Sequence, residues 1–140
     1  MSRIRLRALR PYSIARLRMA SAARPVSGAA HSGVQARTRA VDAFGRLRVW
    51  DTAANNGVLV YLLLADQRIE IVADRGLAGL VSDEQWRGVC LLMEERLRAG
   101  EYADGVVAGI EAVGDLLALH FPQEPGGVDE DELPNQPVFL

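Results

Sequence analysis

The residues best suited to chemistry in this sequence are oxygen-bearing side chains that flank two apolar segments. Asp51, Asn55 and Asn56 precede the first segment, and Asp74 follows the second. Carboxylate, carboxamide and backbone carbonyl oxygens that converge on one loop suit a hard cation such as Ca²⁺ or Mg²⁺. The same residue types are common in turns and caps, where they hydrogen-bond to nearby backbone. The pattern therefore leaves two interpretations open, a cation site and a set of turn residues.

Two β-strands must position these side chains. Residues 58–65 form an unbroken apolar run, which is typical of a strand buried on both faces. Residues 69–73 form a second, less buried strand. In this strand the side chains of one face, Ile69, Ile71 and Ala73, alternate with Arg68, Glu70 and Val72 on the other. Only Asp66 and Gln67 break the two runs, so the strands should be antiparallel neighbours.

This predicted hairpin decides which polar residues meet. Asp74, at the end of the second strand, lies beside the start of the first strand and can approach Asp51 and Asn56. Asp66 lies at the other end of the hairpin. The sequence therefore places the candidate cation site at one end of the two strands.

Three helices are predicted from their end signals and apolar spacing. The first begins near Ser32 and the second at Ser82, each with a capping-box pattern. The second ends at Gly100, and the third runs from about Asp104 to His120. The residues predicted to face the core are Val34, Val41, Phe44 and Leu47 in the first helix, Trp86, Val89, Cys90, Met93 and Leu97 in the second, and Val106, Ile110, Val113 and Leu117 in the third.

The order helix, strand, strand, helix, helix indicates a small α/β layer architecture. Two strands make a poor sheet, so a further strand is expected from the first thirty residues or from a partner. Within those residues, Ile4 to Leu9 alternates as an edge strand would.

Charge is distributed unevenly along the chain. Residues 1–48 hold eleven Arg and one acid, whereas residues 49–140 hold five Arg and seventeen acids, and there is no Lys. The basic start is consistent with a targeting peptide, with a basic arm for nucleic acid or an anionic surface, or with an unstructured or mis-started segment. The tail from Gln123 is acidic and should be loose until residues 137–140.

Several classes of function are excluded by what the sequence lacks. It has no phosphate-binding loop and no G-x-S-x-G nucleophile motif. Its one cysteine, Cys90, excludes an internal disulfide and lies on an apolar helix face, as an inert core thiol would. His120 ends a helix, where it suits the dipole, and His31 lies in a small-residue loop. No apolar run approaches the roughly 20 residues of a membrane-spanning helix, and we expect a cytoplasmic protein unless the start is a targeting segment.

Three segments together resemble the TPM domain family, in its short bacterial branch without a membrane anchor. They are residues 48–66, 69–77 and 100–105, and the resemblance covers about residues 34 to 121. It implies a Rossmann-like α/β fold, a small mixed sheet with helices packed on both faces. Some members are described as acid phosphatases, including a chloroplast one involved in photosystem II repair, and others bind calcium.

The first thirty residues depart from the family pattern, in which a helix and a strand precede the first strand identified above. The sheet is therefore expected to be incomplete at its N-terminal edge, leaving the domain less stable or paired edge to edge as a homodimer. Deleting residues 1–28 is expected to change the melting temperature little. The expected organisation is an Arg-rich segment 1–30, a TPM-like domain 31–122 and an acidic tail 123–140.

The expected function is a divalent-cation site for Ca²⁺ or Mg²⁺ with weak, metal-assisted phosphatase activity on a phosphorylated substrate. The expected metal ligands are Asp51, Asn55, Asn56 and Asp74, with Asp51 and Asp74 as the catalytic pair. The alternative is a non-catalytic interaction or structural module that binds a protein partner. This alternative is favoured by the absence of His, Lys or Cys from the cluster. Nucleic acid is not an expected partner.

Overall fold

The computed structural model describes residues 17–22, 32–121 and 138–140 of the chain. These residues form a four-stranded mixed sheet with strand order β3-β2-β1-β4. The elements are β1 (Leu17–Ala22), α1 (Ser32–Arg46), β2 (Val58–Leu63), β3 (Arg68–Ala73), α2 (Asp83–Arg98), α3 (Tyr102–His120) and β4 (Val138–Phe139). The predicted fold class is confirmed, because α1 covers one face of the sheet and α2 with α3 covers the other.

The central hairpin has the predicted form. β2 and β3 are antiparallel, in a register that runs from Val58 opposite Ala73 to Leu63 opposite Arg68. Every residue of β2 is buried, because its two faces meet the two helical layers. The start of β2 and the end of β3 therefore lie at the same end of the sheet.

The first thirty residues contribute an inner strand, which corrects the expectation that they add little to the fold. β1 runs parallel to β2 along its whole length and pairs on its other side with β4. β2 consequently has a strand on each side, so the free edge that suggested a homodimer is absent. The predicted strand at Ile4 to Leu9 and the tail from Gln123 to Pro137 lie outside the described residues. Order in the last residues is confirmed by β4.

The buried face of α1 differs from the prediction. Val34 and Val41 are exposed, with 71% and 50% of their surface accessible, and the alanines Ala36, Ala40 and Ala43 face the sheet instead. Alanines at i, i+4 and i+7 lie on one helix face and allow the backbone to approach the sheet closely. Of the predicted stripe, Phe44 and Leu47 are half-buried and do pack on this core.

The helical hairpin of α2 and α3 follows the sequence signals closely. Ser82 and Gln85 form the predicted capping box at the start of α2. Met93 of α2 packs directly over Gly109 of α3, where an added Cβ would lie 2.1 Å from the Met93 sulfur. Gly109 is therefore required for the close approach of the two helices. Among the described helices, none is long and apolar enough to cross a membrane.

Candidate loop-junction site

The candidate site is a junction between two loops at the end of the sheet where β2 begins and β3 ends. The Asp74 N–H donates to the Gly57 carbonyl at 2.9 Å, and the Gly76 N–H donates to the Asn55 carbonyl at 2.7 Å. These two bonds extend the β2–β3 ladder beyond its last strand residues. They hold the segments 55–57 and 74–76 side by side. We call this region the loop junction.

Gly76 makes the close approach of the two loops possible. A Cβ at this position would lie 2.4 Å from the carbonyl oxygens of both Ala54 and Asn55. Only glycine therefore fits against the Asn55 backbone without moving the loop.

Asn56 has a buried side chain with unmet hydrogen-bonding capacity. Its N–H donates to the Thr52 hydroxyl at 3.0 Å. Its side chain is fully buried, yet neither Oδ1 nor Nδ2 has a hydrogen-bond partner in the part of the chain that the structure describes. A buried polar group without a partner costs about 1–3 kcal/mol, so such a group calls for an explanation.

Asp74 presents a second buried oxygen at the same junction. Its Oδ1 accepts from the Arg75 N–H at 2.8 Å and caps a short 3₁₀ turn, Arg75–Leu77. Its Oδ2 is buried and has no hydrogen-bond partner among the described residues. One oxygen of this carboxylate is therefore structural, and the other is available to a ligand.

The other two predicted ligands are already engaged. Asn55 adopts a positive φ of 52°, and its Oδ1 accepts from the Arg75 guanidinium at 3.5 Å. The exposed Asp51 carboxylate pairs with Arg48 at 3.2 Å. The structure thus brings Asn55, Asn56 and Asp74 to one junction, while the Asp51 carboxylate is held by a neighbour in its own loop.

Comparison with known proteins identifies the family. The TPM domain model matches residues 27–116. This chain belongs to the TPM domain family. Among solved structures, it is similar to the NMR structure of the BA42 protein from the psychrophilic bacterium Bizionia argentinensis, with 30% sequence identity and a TM-score of 0.73. That match covers 88% of this chain and 79% of the other. No curated protein matches the sequence.

The carboxylates that the structure describes in this TPM domain are too dispersed to form an acidic metal centre. Among the described residues, no group of three or more His, Cys, Asp or Glu side chains could hold a metal ion. A cation at the loop junction would therefore meet one carboxylate, carboxamide oxygens and backbone. Such a low ligand charge is associated with weak affinity for calcium.

The remaining candidates for chemistry lie away from the junction or are unsuited to it. Asp66 is in the turn at the opposite end of the hairpin, as predicted. Burial, followed by the nearby Glu94 carboxylate, raises the pKa of the Cys90 thiol to about 12, so it is protonated at neutral pH and a poor nucleophile. His120 ends α3, as predicted. His31 lies outside the described residues.

The sequence did not reveal a second polar cluster, on the outer edge of β3. There a cleft of about 630 Å³ runs between β3 and α2. Glu94 accepts from the Ile69 N–H at 3.0 Å, and the Arg37 guanidinium donates to the Ile71 carbonyl. The only local signal is that Glu94 follows the buried Met93 and therefore borders the buried face of α2.

Proposed function

We propose that this TPM domain binds a divalent cation, Ca²⁺ or Mg²⁺, at the loop junction. The observation that carries the proposal is a pair of buried oxygens that have no hydrogen-bond partner in the described part of the chain, Asn56 Oδ1 and Asp74 Oδ2. A hard cation prefers such oxygens, and its binding would offset the cost of their burial. The family resemblance to calcium-binding proteins supports the same choice of ligand.

The four proposed ligands differ in whether their oxygens are already engaged by another side chain. Asn56 and Asp74 come first, because their free oxygens are already buried at the junction. Asn55 and Asp51 come second, because each would have to exchange an Arg partner for the ion. Water would complete the six to eight oxygen ligands that Ca²⁺ takes, or the six of Mg²⁺.

A weak phosphatase activity is the catalytic part of this proposal. A bound divalent ion polarises a phosphoryl oxygen and lowers the pKa of bound water. Asp74 would hold the site, and the exposed carboxylate of Asp51 would accept a proton from the attacking water. Arg75, whose guanidinium reaches the junction at Asn55, would donate to a phosphoryl oxygen. Because segments 51–57 and 74–76 contain no His, Lys or Cys nucleophile and the ligand charge is low, we expect slow turnover.

Thermal unfolding with Ca²⁺, Mg²⁺ or a chelator tests the cation site directly. A ligand at 100 times its Kd stabilises the folded state by about 2.7 kcal/mol, so saturating metal should raise the melting temperature. Asp74→Asn and Asn56→Leu should remove this response. The matched control is Asp66→Asn, an exposed carboxylate at the other end of the hairpin, which should retain it. Equal melting temperatures with metal and chelator would overturn the proposal.

Asn56→Leu carries a second expectation that separates a ligand from a structural residue. Leucine has the same branching at Cγ, a larger volume and no polar atoms. In chelator we therefore expect the relief of two unpaired polar atoms to offset the cost of the added volume and leave the variant at least as stable. A marked loss of stability would instead mean that the Asn56 carboxamide is structurally satisfied. Chemical denaturation of both proteins in chelator measures the difference.

Hydrolysis of an aryl phosphate tests the catalytic part separately. Activity should require the metal and be lost in the double variant Asp51→Ala with Asp74→Ala. Activity that persists in excess chelator would exclude the loop junction as its source. A metal-induced thermal shift without any hydrolysis would retain the cation site and remove the phosphatase assignment.

The second candidate function is a non-catalytic interaction module, and an apolar groove between α2 and α3 favours it. The groove is lined mainly by aliphatic side chains, of which Leu119 and Leu92 remain exposed. Exposed apolar patches of this kind mark surfaces that a protein partner or a second copy can cover. In that case the loop junction would serve structure alone.

A further inference from the structure

The groove between α2 and α3 lies on the outer side of the helical layer, far from the buried face that meets the sheet. It has a volume of about 380 Å³. Its apolar lining consists of Gly88, Val89 and Leu92 from α2 and Ala112, Leu116 and Leu119 from α3. Leu119 has 71% of its surface exposed, so a segment that covered it would gain the free energy of apolar burial.

Acidic side chains border this apolar floor. Asp115 lines the groove, and Glu111 lies one turn before it on α3. Glu84 and Glu95 lie one turn from the lining residues of α2, and because they are eleven residues apart they share one side of that helix. α3 contains three acids and no Arg or Lys. The groove therefore suits a segment that carries both apolar and basic side chains.

The cations of α2 do not neutralise this rim. Arg96 pairs with Glu101 at 3.2 Å, and Arg98 pairs with Glu94 at 3.6 Å. The third cation, Arg87, lines the cleft beside β3 on another side of the helix. The acidic side chains that border the groove can therefore pair with basic groups from outside the two helices.

The end of the groove that holds Leu119 lies where β1 begins. Cys90 lies beside Ile71 and Glu94 lies beside Ile69, so α2 runs antiparallel to β3 and begins at the end of the sheet that holds Leu17. α3 is antiparallel to α2, because Gly109 contacts Met93 and Gly105 contacts Arg96. Continuing this register places Leu119 beside the first turn of α2, at the same end as Leu17.

Residues 1–16 directly precede Leu17 in the sequence and have the matching composition. They hold five Arg and no acid, with Ile4, Leu6, Leu9 and Ile14 interspersed. Sixteen extended residues reach about 50 Å, whereas the seven-residue rise from Gln85 to Leu92 is only about 10 Å. We propose that residues 1–16 dock in the α2–α3 groove, with their aliphatic side chains against Leu92 and Leu119 and their Arg side chains against the acidic rim.

Paramagnetic broadening tests the docking in the full chain. A nitroxide attached at Ser2→Cys, in a Cys90→Ala background, should broaden the NMR signals of Leu92 and Leu119. The signals of Val34 and Val41, on the opposite helical layer, should remain sharp. At 1 M salt the screening length falls to about 3 Å, so the broadening should weaken.

Two variants separate specific docking from transient contact. Leu119→Glu should abolish the broadening by adding charge to the apolar floor. Val34→Glu is its matched control, because both side chains are 71% exposed and only one lines the groove. Replacing Arg3, Arg5, Arg7 and Arg10 by Glu should also abolish the broadening.

Three results would overturn the proposal. Equal broadening at Leu119 and Val34 would mean that the segment has no preferred position. Absence of broadening would leave the groove to a foreign partner. Broadening seen only between labelled and unlabelled molecules in a mixed sample would assign the groove to the segment of a second copy.

Discussion

The two edges of the sheet are closed in different ways. At the β3 edge, among the described residues, side chains bond to the outward backbone groups: Glu94 accepts from the Ile69 N–H, and Arg37 donates to the Ile71 carbonyl. At the β1 edge a strand of two residues, β4, pairs with Ala20 and Ser21.

Both arrangements satisfy backbone groups that would otherwise template association with another chain. The β3 edge depends on helices from opposite layers, since Arg37 belongs to α1 and Glu94 to α2. Glu70 reinforces the side-chain closure by pairing with Arg37 and Arg68. The β4 closure depends on the pairing of two residues with β1 and on Val138, which packs against the core. We therefore expect loss of the side-chain closure to affect the whole domain more than loss of β4.

The largest effect should follow removal of β1, the inner strand that joins β2 to β4. Deleting residues 1–28 removes β1, so β2 loses its parallel neighbour and β4 loses its only partner among the described strands. We expect a loss on the order of 3 kcal/mol or more in the free energy of unfolding. Denaturant titration followed by circular dichroism measures it.

A chain lacking only residues 1–16 is the matched control for that deletion. It retains β1 and should retain most of the stability. If the deletion of residues 1–28 left the unfolding midpoint unchanged, β1 would not be part of the folded sheet.

The sequence predicted those elements whose signals are local. β2, β3, α2 and α3 have apolar runs, alternation or capping residues within their own segments, and all four were found. β1 has weaker signals, because Arg18 and Ser21 interrupt a short segment of small and apolar residues. Its burial comes from the strands and helices around it, which a single segment cannot indicate.

The prediction for the buried face of α1 was wrong because it assigned the larger apolar side chains to the core. The large apolar residues Val34 and Val41 were assigned to the core, but Ala36, Ala40 and Ala43 occupy it. A flat sheet surface approached closely by a helix selects small side chains, and that constraint belongs to the packed structure rather than to the helix.

The loop junction was predictable in part, for a geometric reason. Hairpin register alone brings Asp74 beside the residues that precede β2. The burial of Asn56 and the pairing of Asp51 with Arg48 depend on the conformation of the loop between them, which no spacing rule specifies. The contacts of Glu94 and Arg37 with β3 are long-range in sequence and were not predictable for the same reason.

Removing the side-chain closure should have the next largest effect. Glu94→Leu leaves the Ile69 N–H without its acceptor and Arg98 without its ion pair. We expect a loss of about 1.5–3 kcal/mol, as for a hydrogen bond to a charged group. The exposed β3 edge should also promote association, which size-exclusion chromatography over a concentration series would detect.

Glu94→Gln is the conservative control, because its side-chain carbonyl can still accept from the Ile69 N–H. It should lose less stability than Glu94→Leu and remain unassociated. Equal destabilisation by both substitutions would show that the charge of Glu94, and its pairing with Arg98, matters more than the edge contact.

The smallest effect should follow removal of β4. Truncation after Pro137 deletes two paired residues and the bond from the Leu140 N–H to the Ser21 carbonyl, which measures 2.7 Å. Because a backbone hydrogen bond contributes about 0.5–1.5 kcal/mol net, we expect a loss near 1 kcal/mol, below that of Glu94→Leu. Phe139→Ala retains the backbone pairing and removes an exposed side chain, so it should change stability by less than about 0.5 kcal/mol. A truncation as damaging as the loss of β1 would mean that the C-terminal strand, rather than the side-chain closure, is the more important edge of this sheet.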